Sequence, residues 1–280
     1  MDKLNIDDFK EEEIVFDPAA AFAECLINPD EELIRPPIAI SVGYKYQELV
    51  PLVTYGNFCC IVGASKSMKS FLKSAFLACA IGGQAQNYFP DVQGHDIQGK
   101  YVIDIDTEQG KYHVQRVVKR VNTMVGKNYG GYKGLALRPK TPKERVAFIE
   151  WILTESDFAG KIAVLSIDGV ADLIEDVNDL KSSNEITQKL MTWSSDYNVA
   201  IITILHKNFD SDKPTGHLGS AVLKKAETTV FVTKNDDIVT VEAKYSRNIP
   251  FDDFTFSVDE KGIPYEINSV TDNKNKDNLR

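Results

Sequence analysis

The chain has 280 residues, of which 43% are hydrophobic and 26% are charged, as in an ordinary soluble globular protein. Its formal net charge is −9, which argues against a protein that coats nucleic acid broadly but allows a small local contact. We expect no signal peptide and no membrane span, and therefore a cytoplasmic protein. The four cysteines, at positions 25, 59, 60 and 79, lack metal-ligand spacing, which favours reduced thiols.

The N-terminal stretch 1–37 is acidic and has little apolar periodicity, so it is predicted to form an arm outside the folded domain. Within the arm, residues 18–26 favour a short helix because a proline stands in the first turn. Two interpretations of the arm stay open: a solvated, partly disordered segment, or a helix that docks on a neighbouring subunit. We expect one domain over residues 38–268 and a polar tail over residues 269–280.

From residue 38 onwards, apolar strands alternate with helical patterns. The predicted strands cover residues 38–42, 49–53, 58–62, 101–105, 135–137, 162–167, 199–205, 228–233, 238–243, 254–258 and 265–267. The predicted helices cover residues 71–81, 112–125, 142–154 and 184–197. We expect a polar loop over 83–99 and a glycine-rich turn over 129–134. This order predicts an α/β fold with a mainly parallel twisted sheet, helices on both faces and a β-rich C-terminal part.

A phosphate-binding loop is predicted between the strand 58–62 and the helix 71–81. Its residues are Gly63, Ala64, Ser65, Lys66, Ser67, Met68, Lys69 and Ser70. Backbone N–H groups and the helix N-terminus would hold the phosphates, Lys69 would reach the β- and γ-phosphates, and Ser70 would ligate Mg²⁺. Lys66 is expected to touch phosphate or to face a neighbouring subunit. The alternative is a chance match to the motif.

One position departs from the motif G-x-x-x-x-G-K-[ST]. Met68 stands where the second glycine is usual, and that glycine eases the tight passage into the helix. We expect Met68 to be tolerated if its dihedral angles are already helical.

Acidic residues follow two of the predicted strands. Asp168 ends the apolar run 162–167, and we expect it to hold Mg²⁺ directly or through water; the alternative is an N-cap for the next turn. Glu108 lies just beyond the strand 101–105, where a carboxylate can polarise the water that attacks the γ-phosphate. Asp104 and Asp106 are its rivals. Asp104 is expected to point to a sheet face, and Asp106 to cap the coming helix.

The histidines fall into two groups. His206 ends the strand 199–205, so we expect it either to sense the γ-phosphate and pass its state to the following loop, or to be merely structural. His95, His113 and His217 share no metal-ligand spacing and are predicted to be surface residues.

Two later segments offer contacts to partners. Residues 207–225 are polar and form either a mobile loop that touches a partner, such as single-stranded nucleic acid, or a solvated loop. Lys244 and Arg247 follow the strand 238–243. They would serve either as an arginine finger that reaches the γ-phosphate of a neighbouring subunit, or as surface charges.

The order of these features resembles the RecA-like ATPase core and, within it, the hexameric replicative helicases of the DnaB and plasmid RepA type. Four stretches look like their Walker A strand and loop, their catalytic glutamate, their Walker B strand and their sensor, and these are 57–70, 107–109, 162–168 and 205–207. Residues 217–221 look like the glycine-serine element after their DNA-binding loop. Lys244, Arg247 and Asn248 are similar to their Lys-x-Arg-Asn finger, with one extra residue between the basic pair.

The resemblance implies a RepA-like helicase or DNA-remodelling motor that serves replication or mobilisation of a plasmid or mobile element. It implies ATP and Mg²⁺ as cofactors, a homo-oligomeric ring such as a hexamer, a contact with single-stranded DNA through 207–225, and replication or mobilisation proteins as partners. The catalytic residues that it implies are Lys69, Glu108, His206, Lys244 and Arg247.

Two other functions are compatible with the sequence. The first is a slow ATP-dependent assembly switch or adaptor that recruits a partner protein, which Met68 and the acidic balance favour. The second is a small-molecule kinase, which is weaker because no lid-like arginine cluster follows the phosphate loop.

Overall fold

A computed structural model of the chain describes residues 16–207 and 215–267. The chain divides into two compact units, 1–36 and 37–280. In the first unit, helix α1 (Pro18–Cys25) begins after Asp17, whose carboxylate accepts hydrogen bonds from the backbone N–H groups of Ala19 and Ala20 at 2.9 and 3.2 Å. This cap and the proline at the first turn explain the helix, and the prediction of a short helix at 18–26 is confirmed.

The second unit contains two β-sheets and the remaining helices of the described chain. Its strands are β1 (Ile38–Lys45), β2 (Glu48–Thr54), β3 (Phe58–Gly63), β4 (Val92–Gly94), β5 (Tyr101–Asp106), β6 (Tyr132–Ala136), β7 (Ile162–Asp168), β8 (Ala200–His206), β9 (Thr228–Asn235), β10 (Ile238–Ser246), β11 (Phe254–Val258) and β12 (Pro264–Ile267). Its helices are α2 (Lys69–Ile81), α3 (Lys111–Val125), α4 (Pro142–Thr154), α5 (Leu180–Asp196) and α6 (Gly216–Lys225). Within the described ranges, no helix is long and apolar enough to cross a membrane.

The larger sheet has the strand order β12-β11-β10-β9-β3-β8-β7-β5-β6. The six strands from β9 to β6 are parallel, whereas β10, β11 and β12 extend the sheet in antiparallel hairpins. Because β3, β5, β7 and β8 are parallel, their carboxyl ends lie at one edge of the sheet, where ligands of such folds bind. The predicted α/β fold with a mainly parallel sheet and a β-rich C-terminal part is confirmed.

The sheet is covered on both faces because its central strands are apolar throughout. Successive residues of β3 point to opposite faces. Cys59 and Ile61 pack in the apolar cluster that includes Leu72 of α2, whereas Cys60 and Val62 pack in the cluster formed with α4 and α5. Continuous burial of β3 and β7 follows from this double cover.

The buried cysteines belong to these two clusters. Cys59, Cys60 and Cys79 are buried, Cys25 is exposed, and all four thiols are free. Burial raises the pKa of the Cys60 thiol to about 12 and also raises the pKa values of the Cys59 and Cys79 thiols. These three thiols are therefore unreactive in the folded protein.

Two sequence predictions about the first half of the domain were wrong. The segment 83–99 is not entirely loop, because β4 pairs with β1. The strands β2, β1 and β4 form an antiparallel sheet that is separate from the larger one. The predicted turn 129–134 ends earlier, since β6 begins at Tyr132 and pairs with β5.

Two predictions about the second half also need correction. Helix α5 begins before residue 184, because the carboxylate of Asp179 accepts a hydrogen bond from the backbone N–H of Ser182 at 2.7 Å and caps an earlier turn. The segment 207–225 is not one polar loop. Its last ten residues form α6, and residues 208–214 lie outside the described part of the chain.

Candidate functional site

The predicted phosphate loop connects β3 to α2, and the side chain of its Lys69 contacts the backbone of the same loop. The ammonium of Lys69 donates hydrogen bonds to the carbonyl oxygens of Gly63 and Ala64 at 3.0 and 2.7 Å. A Cβ atom on Gly63 would lie 2.5 Å from Ser67 Oγ and 2.7 Å from the carbonyl oxygen of Val232. The first position of the loop therefore has no room for a side chain, which explains the glycine there.

Met68 adopts a left-handed backbone conformation, with φ 71° and ψ 19°. These are not the dihedral angles of a right-handed helix, so the condition under which Met68 was expected to be tolerated is not met. Its carbonyl oxygen accepts the first helical hydrogen bond, from the N–H of Leu72 at 3.1 Å, so the chain must turn sharply at this residue. Lys66 also has a positive φ of 63°. The loop thus keeps the glycine-like geometry without the glycine, at a cost of roughly 1–2 kcal/mol per residue.

The two residues predicted to hold Mg²⁺ lie side by side. The hydroxyl of Ser70 donates to Asp168 Oδ2 at 3.0 Å, and the Asp168 side chain is only 6% exposed. Hydroxyl and carboxylate oxygens are ligands that suit a hard cation such as Mg²⁺, so the residues present fit this ion. The alternative role of Asp168 as an N-cap is wrong, because Gly169 occupies the N-cap of the following turn and no side chain caps it.

Register explains why these residues meet. Gly63 pairs with His206 across β3 and β8, and Asp168 pairs with Asp106 across β7 and β5. The polar residues after the parallel strands therefore share one edge, and Glu108 lies two residues beyond the end of β5. The sheet brings together loop, metal residues, glutamate and histidine from separate parts of the sequence.

His206 links the loop lysine to Glu108. Its Nδ1 lies 3.2 Å from Lys69 Nζ, and its Nε2 lies 3.2 Å from Glu108 Oε1. A protonated lysine can only donate, so the ring accepts at Nδ1 and donates from Nε2 to Glu108. Burial lowers the pKa of Lys69 to about 8, although Asp168 and Glu108 act in the opposite direction. The Glu108 side chain is 43% exposed and can reach solvent.

The rivals of Glu108 have other partners. Asp106 accepts hydrogen bonds at Oδ1 from the backbone N–H groups of Glu108 and Gln109, at 3.0 and 2.7 Å. It therefore holds the glutamate loop, whereas the N-cap of α3 is Gly110, so its predicted capping role is wrong. Burial is the main cause that raises the pKa of Asp106. Asp104 and Asp106 are 3% and 2% exposed, and neither lines the cavity beside the loop.

Two residues that the sequence reasoning missed support the glutamate loop. Thr107 Oγ1 lies 2.8 Å from the carbonyl oxygen of Asp168 and 2.8 Å from Asp172 Oδ2. The guanidinium of Arg145 donates to the carbonyl oxygens of Thr107 and Asp172 at 3.3 and 2.6 Å. These contacts tie the backbone before Glu108 to the end of β7. Nothing local in the sequence marks Arg145 for this role, because Thr107 and Asp172 lie 38 and 27 positions away from it.

A third missed residue, Lys73, lies behind the metal residues. Its ammonium is 2.9 Å from Asp104 Oδ1 and 3.0 Å from Asp168 Oδ2, and its side chain is 0% exposed. The hydroxyl of Tyr132 donates to Asp104 Oδ2 at 2.9 Å. Burial disfavours the charge of Lys73, but Asp104 and Asp168 outweigh it and raise the pKa of Lys73 above its usual value. A charged residue one turn after Ser70, inside an apolar helix, was the signal that could have revealed it.

We call the space beside the phosphate loop the loop cavity. It has a volume of about 420 Å³ and is lined by residues 65–71, Glu108, Gln109, His113, Arg116, Val117, Arg120, Asp168 and His206. The sequence reasoning missed two arginines that stand one turn apart on α3. Arg120 stacks on the ring of Phe71 at 3.7 Å and donates to Ser74 Oγ at 3.1 Å. The cavity thus combines cationic side chains with the loop backbone, as an anion site requires.

The remaining histidines are not all surface residues. His113 is exposed but lines the loop cavity. His95 is half-buried, and its Nε2 lies 2.8 Å from Ser41 Oγ, so the surface prediction is wrong for this residue. His217 is exposed on α6, as predicted. Among the described residues, no cluster of three or more histidine, cysteine, aspartate or glutamate side chains is arranged to hold a metal ion.

Lys244 and Arg247 do not join the loop cavity of their own chain. Arg247 donates to the carbonyl oxygen of Lys225 at 2.7 Å, and Lys244 donates to Glu242 at 3.2 Å. Ser246 pairs with Thr228, which pairs with Cys59 near the start of β3. The phosphate loop follows the other end of β3, about 13 Å from Cys59 at the usual rise of a strand.

A second cavity, of about 510 Å³, lies between the small sheet and the C-terminal strands, and we call it the acidic side cavity. Its lining includes four carboxylates and one lysine, namely Asp91, Asp252, Asp253, Glu266 and Lys45. Lys45 pairs with Asp252 at 2.8 Å. Burial, together with the charge of Asp91, raises the pKa of Glu266 to about 7. This cavity shares no lining residue with the loop cavity.

Comparison with solved structures shows what the chain is similar to. A crystal structure of the RadB recombinase matches it with a TM-score of 0.51 and 14% sequence identity, over 76% of this chain and 92% of that chain. The likeness shows that the fold is that of the RecA-like core. No protein-family model and no curated protein matches the chain.

Proposed function

We propose that this protein binds ATP with Mg²⁺ in the loop cavity and hydrolyses it. The observation that carries the proposal is the convergence of Lys69, Ser70, Asp168 and Glu108 around one cavity at the carboxyl edge of the sheet. These residues come from the loop and from the ends of two separate strands. A chance match to the loop motif does not explain why an acid pair, a histidine and two arginines face the same space.

Each residue has a role that follows from its position. Lys69 now donates to two carbonyl oxygens of its own loop, and phosphate oxygens would replace these acceptors. Ser70 and Asp168 would hold Mg²⁺, which when bound withdraws charge from the phosphates. Glu108 reaches solvent and would orient the attacking water and take up its proton. His206 contacts both Lys69 and Glu108, so it would couple the phosphate end of the site to the segment that follows it.

The proposal extends to assembly and to nucleic acid. Lys244 and Arg247 lie far from their own loop cavity, which leaves the cavity of a neighbouring subunit as the place where they would act. We propose a homo-oligomeric ring, such as a hexamer, that contacts single-stranded DNA through 207–225. Such a ring would work as a RepA-like helicase or DNA-remodelling motor for a plasmid or mobile element, with replication or mobilisation proteins as partners.

We further propose that the protein is cytoplasmic and that residues 38–268 form the ATPase domain, between an arm at 1–37 and a tail at 269–280. What supports the DNA-related role is the fold that the chain shares with the RadB recombinase.

A second candidate function is a slow ATP-dependent assembly switch or adaptor. Met68 favours it, because the loop departs from the usual glycine at this position and holds the left-handed conformation with a residue that is strained there. The adaptor would bind ATP and recruit a partner protein without helicase activity.

The test is steady-state ATP hydrolysis by the purified protein and its variants. We expect Lys69→Ala to abolish both nucleotide-dependent thermal stabilisation and turnover. Glu108→Gln should keep the stabilisation and lose about a hundredfold or more of the turnover, since it removes a general base. Lys181→Ala is the matched control, because Lys181 is 85% exposed and has only a long ion pair of 3.7 Å with Glu185. Full turnover by Lys69→Ala would refute the assignment.

Single-stranded DNA separates the two candidate functions. The assay is repeated with and without DNA at low salt, because contacts to DNA phosphates weaken as salt rises. Strong stimulation supports the motor. Nucleotide binding without stimulation supports the switch or adaptor.

A further inference from the structure

Lys73 is a buried cation among three buried carboxylates. It contacts Asp104 and Asp168 at 2.9 and 3.0 Å, and Asp106 pairs with Asp168 in the register of β5 and β7. Counted as whole residues, the three acids are between 2% and 4% exposed. Lys73 is thus the ammonium that contacts the buried carboxylates directly, at the place where a divalent cation would bind.

The contacts of this cluster leave few oxygens for a metal. Asp168 Oδ2 faces both Lys73 and the hydroxyl of Ser70, so only Oδ1 is left to face a metal or its water. Asp104 is engaged at both oxygens, by Lys73 at Oδ1 and by Tyr132 at Oδ2. Asp104 is therefore held away from any metal, and the orientation of Asp168 is fixed before one arrives.

The charge of Lys73 also affects how strongly the site attracts a metal. Neighbouring carboxylates without a counter-charge would attract a divalent cation by themselves. A buried ammonium in contact with Asp168 cancels part of that attraction, and the effect is strong because the surroundings have a low dielectric constant. Phosphate oxygens in the loop cavity would then have to supply the missing negative charge.

We propose that Lys73 is a positioning residue of the metal site, which holds Asp168 in place and prevents the site from binding a divalent cation until nucleotide phosphates are present. This inference rests on the proposed function of the loop cavity. It assigns to Lys73 a role that the ion pair with Asp104 alone does not require.

The experiment measures Mn²⁺ binding to the nucleotide-free, full-length protein by electron paramagnetic resonance. The key variant is Lys73→Met combined with Asp104→Asn, which removes one positive and one negative charge together. We expect it to bind Mn²⁺ about tenfold or more tightly than the wild type, because Asp168 loses its counter-charge. Asp104→Asn alone is the matched control and should not tighten Mn²⁺ binding, since Lys73 remains beside Asp168.

Two results would overturn the proposal. A folded double variant that binds Mn²⁺ no more tightly than the wild type would make Lys73 only a structural partner of Asp104. Tight Mn²⁺ binding by the nucleotide-free wild type would contradict the proposal as well, and that measurement does not depend on whether any variant folds.

The proposed function and the proposed role of Lys73 can be tested independently of each other. Thermal stabilisation of the wild type by ATP with Mg²⁺ tests nucleotide binding directly, whereas the Mn²⁺ titrations contain no nucleotide. Absence of stabilisation together with tighter Mn²⁺ binding by the double variant would remove the ATPase assignment and keep the control of the metal site by Lys73.

Discussion

Two groups of carboxylates in this protein have different neighbours. Behind the phosphate loop, Asp104 and Asp168 are almost fully buried, yet a lysine, a tyrosine hydroxyl and a serine hydroxyl contact their oxygens. In the acidic side cavity, Glu266 is only half-buried, yet its pKa is raised, first by burial and then by the charge of the Asp91 carboxylate. The two groups therefore differ in their neighbours as well as in their burial. A cation and two hydroxyl donors contact the oxygens of Asp104 and Asp168, whereas the charge that acts on Glu266 is that of another carboxylate.

The largest effect on stability is expected when the cation is removed from the first group. Lys73→Met leaves buried carboxylates without their counter-charge and should lower the free energy of unfolding by about 3–5 kcal/mol. Urea denaturation followed by circular dichroism measures the change. Lys189→Met, which breaks a partly exposed ion pair of 2.6 Å with Glu150, should cost about 1 kcal/mol or less. If Lys73→Met lowered the free energy of unfolding as little as this control does, the buried carboxylates would not depend on Lys73 for their stability.

The second group is tested by Glu266→Gln, which should stabilise the protein above pH 7. The folded-state pKa of Glu266 is raised from 4.5 to about 7, so the folded state binds the proton more tightly than the unfolded state. Stability due to this group is thus greatest below about pH 4.5 and is lost as the pH rises to about 7. Allowing for its partial exposure, we expect the variant to gain about 1 kcal/mol at pH 8.

The measurement is the free energy of unfolding of both proteins across pH 5 to 8. Their difference should grow through this range and then level off. An equal difference at both ends would show that Glu266 titrates normally.

The smallest effect concerns the strain in the loop beside the first group. Met68→Gly should be more stable than Met68→Ala by about 1 kcal/mol, because both lose the packing of the methionine side chain and only glycine relieves the left-handed conformation. Melting temperatures of the two variants measure the difference. If the alanine variant were equally stable, the backbone at Met68 would carry no strain.

The sequence predicted the first of the two regions better than the second, for physical reasons. A phosphate loop is local, so its spacing is visible, and the acids that follow parallel strands must converge on it. Asp91 and Glu266 come together only because β4 joins a separate sheet, and a strand of three residues has too little periodicity to be recognised. Lys73 was missed because its partners on β5 and β7 lie 31 and 95 positions away. The roles of the predicted site residues remain predictions that the variants above test.

The neighbouring thiols of Cys59 and Cys60 on β3 can report whether the domain unfolds globally or locally. They lie on the strand that carries the phosphate loop and point to opposite faces of the sheet. A thiol reagent would modify both at one rate if the domain opens all at once, whereas loss of one helical layer would expose one thiol before the other. If the two faces of the sheet belong to one cooperative unit, a ligand that stabilises the phosphate loop should slow both modifications by the same factor. Unequal factors would show that the two faces open separately.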